Sequence, residues 1–263
     1  VSILVITLTL SACGNKNEKL YVLNWGDYMD LDLVEQFEDE FNVDVVYEEV
    51  GSNEEMEVKL KAGTTKYDIA IPSDYMIDKL RQQDLIQVID TTKLDSLEDV
   101  SFITVATDLY ADLGFSSYMV PYFWGTLGIM YNTDTVNVDD LTGYDVLFDT
   151  DTTYKIGMYD SARDAVGSAL LYLGYDVNSN VTSELLDAEN ALKAGVFEIF
   201  GEDNLRGQVI EGNLDLALVY SGDYFDELYA FEEDELEANF AYFVPETTNI
   251  WVDGFVIPTI SEN

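Results

Sequence analysis

The sequence predicts an α/β protein with two lobes, each a mostly parallel sheet flanked by helices. Three observations lead to this prediction. The chain has 263 residues, 48% of them hydrophobic, and is therefore long enough for two lobes. Strand and helix patterns alternate along its first half, and the alternation resumes in its second half. Alternation of this kind is typical of α/β folds with parallel sheets.

The first lobe is predicted from two consecutive strand–helix–strand units. Three stretches have the composition of strands, namely residues 20–25, 43–47 and 67–71. Apolar residues recur at helical spacing over 33–41, and a second helix is predicted after Ser52 and Glu55, which have the spacing of a capping box. A helix over 74–81 follows the third strand. Because such crossovers have one hand, the strands are expected to lie parallel.

The second lobe is predicted to begin near the aromatic run 122–126. The elements predicted after it are a strand over 155–160, helices over 165–172 and 188–200, and a strand over 214–220. The predicted boundaries are 20–124 for the first lobe, 125–252 for the second, and 253–263 for the start of a return to the first.

The first 19 residues resemble a lipoprotein leader and tether. An apolar run over 1–10 is too short to span a bilayer but suits the hydrophobic region of a secretory signal. Leu10-Ser11-Ala12-Cys13 resembles the bacterial lipobox, which predicts cleavage before Cys13, lipid attachment to its sulfur and a tether over 14–19. Since the chain starts without Met or a basic region and stops just after a strand-like run, we expect it to be a fragment of a longer product.

Composition excludes several classes of function. With 52 acidic and 12 basic residues the formal net charge is −40, which repels nucleic acid and anionic lipid and attracts cations. Acidity that only confers solubility or salt tolerance is an equally good explanation of this charge. The chain has no histidine, the commonest general base and metal ligand, and its single cysteine allows neither an intrachain disulfide nor a thiolate metal cluster. No metal or cofactor site is therefore predicted.

Aromatic and polar side chains follow the strand ends of both predicted lobes. Ligands of α/β sheets are usually held at the carboxyl ends of the strands. The candidate binding residues are Trp25, Asp27, Tyr28, Ser73, Tyr75, Ser161, Asp164, Tyr220, Trp251 and Asp253. A lone tyrosine at such a position more often packs in the core, but repetition of the pattern at equivalent strand ends favours a site.

These residue types suit a long cation with charged ends and an aliphatic middle. Carboxylates give ammonium groups charge-assisted hydrogen bonds, and aromatic faces pack against methylenes and cationic carbons, each contact contributing about 0.5–2 kcal/mol. A phosphate or carboxylate ligand would need Lys or Arg instead, and only Arg163 lies among the candidates in sequence, with a side-chain direction that the pattern leaves open.

The chain resembles the polyamine-binding lipoproteins of bacterial ABC importers, the spermidine/putrescine-binding family, over residues 20–258. The matching stretches are "YVLNWGDY", "GSNEEMEVKLKAGTTKYDIAIPSDYMIDKLRQQDLIQVID", "VPYFWGTLGIMYN", "YDSARDAVGSALLYLGY", "IEGNLDLALVYSGD" and "IWVDGFVIP". The resemblance implies a type II periplasmic-binding-protein-like fold, with the ligand in a cleft between two closing lobes. It also implies a monomer outside the cytoplasm, an ABC permease with its ATPase as partners, and no catalysis.

The resemblance also implies roles for single residues. Trp25 and Tyr28 would wall the ligand slot, with Ser73 and Tyr75 opposite. Asp27, Asp164 and Asp253 would bind amines, and Trp251 would stack beside Asp253. Two positions depart from the family: Ser161 stands where some spermidine binders have aspartate, and Tyr220 replaces a tryptophan. Fewer acids favour putrescine, although the family's C-terminal contacts are absent from this sequence.

Other classes of protein are also compatible with parts of this pattern. A carbohydrate-binding lipoprotein would share the fold and the stacking aromatics, but it would typically add Asn, Gln and Arg around the slot. A glycosidase could use a carboxylate pair. An iron(III) binder would want adjacent tyrosines at the strand ends, and these are missing. A calcium-stabilised surface protein would want Asp-x-Asp-x-Asp-Gly spacing, of which only loose fragments such as "DLDL" occur.

Overall fold

The computed structural model describes residues 17–26, 28–94, 111, 114 and 116–263. The predicted leader, the lipobox cysteine Cys13 and the predicted ligand-binding carboxylate of Asp27 lie outside these residues. The chain forms two compact units: unit 1 contains the described residues up to Tyr122 together with Asp253–Asn263, and unit 2 contains Phe123–Val252.

Strands and helices alternate through both units. The α-helices whose bounds lie within the described residues are α1 (Leu31–Phe41), α2 (Asn53–Ala62), α3 (Asp74–Gln82), α4 (Asp145–Phe148), α5 (Ala162–Tyr172), α6 (Thr182–Ala194), α7 (Asn204–Ile210) and α8 (Ser221–Glu233). The strands are β1 (Glu18–Trp25), β2 (Val43–Val50), β3 (Ile69–Ala70), β4 (Ile86–Gln87), β5 (Val120–Asn132), β6 (Ile156–Tyr159), β7 (Phe197–Gly201), β8 (Leu216–Tyr220), β9 (Phe240–Phe243), β10 (Ile250–Phe255) and β11 (Ile257–Pro258). None of these helices has the length and apolar character that a membrane crossing needs.

Unit 1 is built on a parallel sheet with the strand order β2-β1-β3, as the βαβ pattern predicts. A second, two-stranded antiparallel sheet pairs β11 with β4. The core between the sheet and the helices is apolar and almost fully buried, with Leu23, Met56, Leu60, Ile71, Met76, Ile77 and Leu80 at 0–2% exposure. This packing fixes the carboxyl end of β1 and the amino end of α3, where candidate residues lie.

Helix α2 begins as its capping box predicts. The Ser52 hydroxyl accepts a hydrogen bond from the Glu55 N–H at 3.1 Å. The Glu55 carboxylate reaches back to the N–H of Gly51 rather than to that of Ser52, at 3.3 Å. The first residue after this cap, Asn53, is buried, and its side chain is directed into the unit.

Helix α1 has its predicted spacing but not the burial that such spacing usually indicates. It buries none of its residues, and Leu33 and Phe41 are each 58% exposed. The rings of Phe37 and Phe41 pack on each other at 4.6 Å. Periodicity therefore identified a helix correctly without identifying a core face.

A buried carboxylate joins α2 to α3. Glu57 is 6% exposed and accepts hydrogen bonds from Lys61 Nζ at 2.7 Å, Lys79 Nζ at 2.8 Å and Gln83 Nε2 at 3.0 Å. The Lys61 and Lys79 ammonium groups lower the pKa of Glu57 to about 2. Since this pKa lies below that of the unfolded chain, the stabilisation is present above about pH 4.5 and is lost as the pH falls towards 2.

Replacing this carboxylate should weaken the fold. We expect Glu57→Gln to lower the free energy of unfolding by about 1–3 kcal/mol at pH 7, because two ammonium groups lose a charged acceptor. Urea unfolding at pH 7 and pH 3 measures the effect, which should shrink at the lower pH. Glu35→Gln, at an exposed position of α1, is the matched control. A Glu57→Gln effect of the same size at both pH values would contradict the assignment.

Unit 2 is built on a mixed sheet with the order β10-β5-β8-β6-β7, and β9 also pairs with β5. The first residues of β5, up to Tyr122, and the last residues of β10, from Asp253, belong to unit 1. Strand β6 lies parallel to β7 and β8, whereas β5 runs antiparallel to β8 and β9. The parallel part corresponds to the βαβ pattern in the sequence. The antiparallel pairs join strands that are far apart in the chain, so local patterns did not indicate them. The core of unit 2 includes the fully buried Ile129, Met130, Leu147, Ile156 and Leu218.

One predicted helix of unit 2 is wrong in its second half. The sequence pattern predicted a helix over 188–200, but α6 ends at Ala194 and β7 occupies Phe197–Gly201. The N–H of Gly195 closes the helix on the carbonyl of Ala191 at 3.0 Å. The following Phe-Glu-Ile-Phe segment pairs with β6, because β-branched and aromatic residues suit a sheet edge.

Candidate functional site

Asp253 is the central carboxylate of the candidate residues in unit 1. It lies in β10 and is 6% exposed. Its Oδ2 accepts a hydrogen bond from the Tyr28 hydroxyl at 2.7 Å, across 225 positions of sequence. Its Oδ1 is buried and has no hydrogen-bond partner among the described residues. A buried carboxylate oxygen with spare acceptor capacity is costly for the fold and is suited to a hydrogen-bond donor from outside the chain.

Burial decides the electrostatics of Asp253. Loss of water raises its pKa to about 7, and the negative charge of Asp74 adds to the rise. The hydroxyl of Tyr28, which donates to Oδ2, and the hydroxyl of Ser73 oppose this effect, because a hydroxyl beside a carboxylate favours its ionised form. Within the part of the chain that the structure describes, Asp253 forms no ion pair. An ammonium group would therefore supply the countercharge that this carboxylate lacks.

Tyr28 is held in place by a second tyrosine. The Tyr122 hydroxyl donates to the carbonyl of Tyr28 at 2.7 Å, and the two rings meet edge to face with centroids 5.5 Å apart. The Tyr122 ring also packs against the ring of Phe255, with centroids 4.8 Å apart. Burial raises the pKa of Tyr122 to about 12, so its hydroxyl stays a neutral donor. The two tyrosines form an aromatic wall beside Asp253.

Trp25 and Tyr75 lie on either side of Ser73 along the chain of unit 1: Trp25 hydrogen-bonds to the segment before it, and Tyr75 belongs to the helix after it. Trp25 ends β1, and its indole N–H donates to the carbonyl of Ile71 at 2.8 Å, which fixes the ring beside the segment that leads to Ser73. Tyr75 lies in the first turn of α3, and its hydroxyl donates to Glu54 Oε1 at 3.3 Å. A carboxylate that the sequence did not single out thus lies beside Tyr75.

The candidate residues in unit 2 repeat the combination of carboxylate, tyrosine and tryptophan. Asp164 is 6% exposed in the first turn of α5, and its Oδ2 accepts a hydrogen bond from the Tyr220 hydroxyl at 2.7 Å. The Tyr220 ring meets Trp251 edge to face at 5.7 Å and Tyr159 at 4.9 Å. Tyr159 is fixed in turn because its hydroxyl donates to Asp203 at 2.6 Å.

Ser161 has a structural role in unit 2. It is the N-cap of α5, and its hydroxyl accepts a hydrogen bond from the N–H of Asp164 at 3.3 Å. This contact sets the start of the helix and hence the position of the Asp164 carboxylate. Its role as a ligand contact stays a prediction.

The Trp251 ring packs directly against the backbone of β5 at Gly125. A Cβ at Gly125 would lie 2.6 Å from Trp251 Cζ2 and 2.6 Å from Ser221 Oγ, so this position requires glycine. The Trp251 indole N–H is buried and has no acceptor among the described residues. The close approach of β5 at Gly125 therefore fixes the position of the indole ring but leaves its N–H without an acceptor among the described residues.

The structure joins some of the candidates by direct contacts within each unit. In unit 1, Tyr28 and Ser73 lie against Asp253, while Trp25 and Tyr75 belong to the same unit. In unit 2, contacts connect Ser161, Asp164, Tyr220 and Trp251. Sequence reasoning missed Tyr122, Asn53 and Tyr159, which hold the predicted residues in place. Tyr122 stands in the aromatic run near the start of the predicted second lobe, and Asn53 lies within the capping box of Ser52 and Glu55, so the local pattern at both positions indicates structure and not a site.

The chain is similar to known proteins of one family. The family model described as "Bacterial extracellular solute-binding protein" matches residues 25–263. A putrescine-binding periplasmic protein of Pseudomonas aeruginosa is 30% identical, over 100% of this chain and 76% of the relative. The spermidine/putrescine-binding periplasmic protein of Salmonella typhimurium is 31% identical, over 98% of this chain and 73% of the relative.

A solved structure agrees with these relatives. The substrate-binding protein PotD of a spermidine/putrescine ABC transporter from Streptococcus pneumoniae has a TM-score of 0.72 and 35% identity, over 94% of this chain and 74% of that chain. This match confirms the predicted periplasmic-binding-protein-like α/β fold. With the family model matching nearly the whole described chain, the protein is a member of the bacterial extracellular solute-binding protein family.

Proposed function

We propose that the protein captures a polyamine, putrescine or spermidine, and delivers it to an ABC importer. The observation that carries this proposal is the Asp253 carboxylate, which is buried, forms no ion pair among the described residues and keeps one oxygen without a partner. Relatives named for putrescine and spermidine support the choice of ligand.

The chemistry of both units suits ammonium groups on an aliphatic chain. Each unit holds a buried carboxylate that a tyrosine hydroxyl orients, Asp253 with Tyr28 and Asp164 with Tyr220. Each unit also places a tryptophan among the candidates. An ammonium group donates to carboxylates through charge-assisted hydrogen bonds, and adjacent methylenes pack against aromatic rings. Polyamines carry two or more ammonium groups joined by methylenes, so both clusters match their chemistry.

Location and partners follow from the family. A family of extracellular solute-binding proteins acts outside the cytoplasm, so this chain is extracytoplasmic. The family serves transport and is not a family of enzymes, and we further propose that the protein carries out no covalent chemistry. Attachment through a lipid on Cys13 and a monomeric state are part of the proposal. Its partners are a permease and an ATPase of the ABC type, which the name of the pneumococcal structure supports.

Thermal unfolding of the purified protein with single added ligands tests the proposal. The ligands are putrescine, spermidine, a neutral disaccharide and calcium. A ligand at about a hundred times its dissociation constant adds about 2.7 kcal/mol of stability, which corresponds to a midpoint shift of about 5–10 °C at this size. We expect a shift with at least one polyamine and none with the disaccharide or calcium.

The opposite pattern would overturn the proposal. A shift with the disaccharide alone would identify a carbohydrate-binding protein of the same fold. A shift with calcium alone would show that the carboxylates hold a metal. Comparison of putrescine with spermidine also decides which polyamine is preferred.

A further inference from the structure

The buried amide of Asn53 makes two hydrogen bonds to a single residue. Its Oδ1 accepts from the backbone N–H of Ser73 at 3.0 Å, and its Nδ2 donates to the Ser73 hydroxyl oxygen at 3.0 Å. Asn53 is the first residue of α2 and is 7% exposed, whereas Ser73 immediately precedes α3. The amide therefore connects the starts of the two helices and grips both polar groups of Ser73.

The direction of this amide is fixed by chemistry. A backbone N–H can only donate, so the oxygen of Asn53 must face Ser73 N, and its nitrogen must then face Ser73 Oγ. The hydroxyl oxygen of Ser73 consequently acts as an acceptor towards Asn53. Its hydrogen has to point to a different acceptor.

The Ser73 hydroxyl does not cap α3. Ser73 occupies the N-cap position of α3, where a serine hydroxyl normally accepts from a backbone N–H of the first turn. Its side chain makes no such bond. A cap contact that typically contributes to helix stability has been replaced by the contact with Asn53.

The Asp253 carboxylate lies across from Ser73. The two residues form an antiparallel β-bridge, and Gly254 N–H donates to the carbonyl of Pro72 at 3.2 Å beside it. Residues directly opposite in an antiparallel pair direct their side chains to the same face. The Ser73 hydroxyl lowers the pKa of Asp253, as a donor facing a carboxylate does.

We propose that Asn53 is a positioning residue for ligand binding, which it serves by directing the Ser73 hydroxyl hydrogen towards the Asp253 carboxylate. The hydroxyls of Tyr28 and Ser73 then both face Asp253 from its own unit and favour its ionised form. An ionised Asp253 is the form that an ammonium group requires. This inference rests on the proposed polyamine function but makes a separate claim about the ligand-free protein.

The variant Asn53→Asp tests the inference. A carboxylate can still accept from the Ser73 N–H, but it cannot donate to Ser73 Oγ and would instead accept the hydroxyl hydrogen itself. An acidic residue in the first turn of α2 is also compatible with the helix. We expect the pKa of Asp253, followed by carboxyl carbon NMR without ligand, to rise. We expect the dissociation constant for putrescine to increase about fivefold to thirtyfold.

The added charge of the new carboxylate could raise the pKa of Asp253 without involving Ser73. The same substitution in a Ser73→Ala background isolates that contribution. If Asn53 acts through the hydroxyl, Asn53→Asp has a smaller effect on both readouts in the Ser73→Ala background than in the wild type. Equal effects in both backgrounds would overturn the inference.

A second variant covers failure of the first to fold. Asn53→Ala removes both hydrogen bonds and frees the Ser73 hydroxyl to cap α3, so it should raise the pKa of Asp253 without adding charge. An unchanged pKa of Asp253 in folded Asn53→Ala would overturn the inference. The NMR measurement needs no ligand, so failure of every polyamine to bind would reject the proposed function while the pKa coupling still decides the role of Asn53.

Discussion

The variant Asp253→Asn should lose at least about 2 kcal/mol of putrescine or spermidine binding free energy, which is about a thirtyfold increase in the dissociation constant. The amide keeps the shape of the side chain but removes the negative charge. An ammonium group that is desolvated beside the amide would lose its countercharge. Asp253 takes part in none of the ion pairs among the described residues, so the ligand would supply its only positive partner there. Isothermal titration calorimetry at pH 8 measures the difference directly.

The same substitution should stabilise the ligand-free protein. Asp253 is buried with one oxygen lacking a hydrogen-bond partner in the described chain, and its pKa is raised to about 7. Its folded pKa therefore lies above the value of about 3.9 in an unfolded chain, so the folded state binds more protons and stability falls as the pH rises through this range. At pH 8 the neutral amide removes the cost of the buried charge. We expect the midpoint of thermal unfolding to rise while affinity falls.

Opposite changes in stability and affinity distinguish a binding carboxylate from a structural one. A structural carboxylate would lose stability when replaced, and affinity would fall only because less protein is folded. Asp39→Asn, at an exposed position of α1, removes the same charge from the same unit and controls for long-range attraction of the cation. A loss of less than about 0.5 kcal/mol in binding for Asp253→Asn would remove this residue from the site.

Local patterns predicted the elements of the fold better than their packing. The capping box before α2 and the strand that ends at Trp25 were recognised because their signals lie within a few residues. The helix predicted over 188–200 failed because the apolar spacing continued past Ala194 into a segment that instead pairs with β6. Strand pairing is decided by distant residues, and no local pattern contains that information.

The candidate site shows the same division between local and distant information. The sequence pattern singled out Tyr28 after the first strand and Asp253 beside Trp251, although Asp253 lies within β10 and not at its end. The bond between these two residues spans 225 positions and could not be deduced from spacing. The sequence marks Asn53 only as the start of a helix, because its contact with Ser73 depends on how α2 and α3 pack. Supporting residues are therefore the part of a site that a single sequence conceals.

Polyamine affinity should depend on pH with a transition near pH 7. Burial, reinforced by the charge of Asp74 and opposed by the Tyr28 and Ser73 hydroxyls, raises the pKa of Asp253 to about 7. Amines resemble lysine in pKa and stay protonated well above neutral pH. Below pH 7 the free protein carries a proton on Asp253 that the incoming ammonium group must displace. Affinity should therefore be constant above about pH 8 and fall by about a hundredfold between pH 8 and pH 5.

Calorimetry in buffers of different ionisation enthalpy detects the displaced proton. At pH 6 we expect close to one proton released per polyamine bound, and almost none at pH 8.5. The variant Asp253→Asn should bind weakly with an affinity that no longer changes over this range, because the titrating group is gone. A pH dependence that persists in Asp253→Asn would assign the proton to a different group. A flat profile in the wild type would mean that Asp253 is already ionised before the ligand arrives, in which case the Tyr28 and Ser73 hydroxyls outweigh the cost of burial.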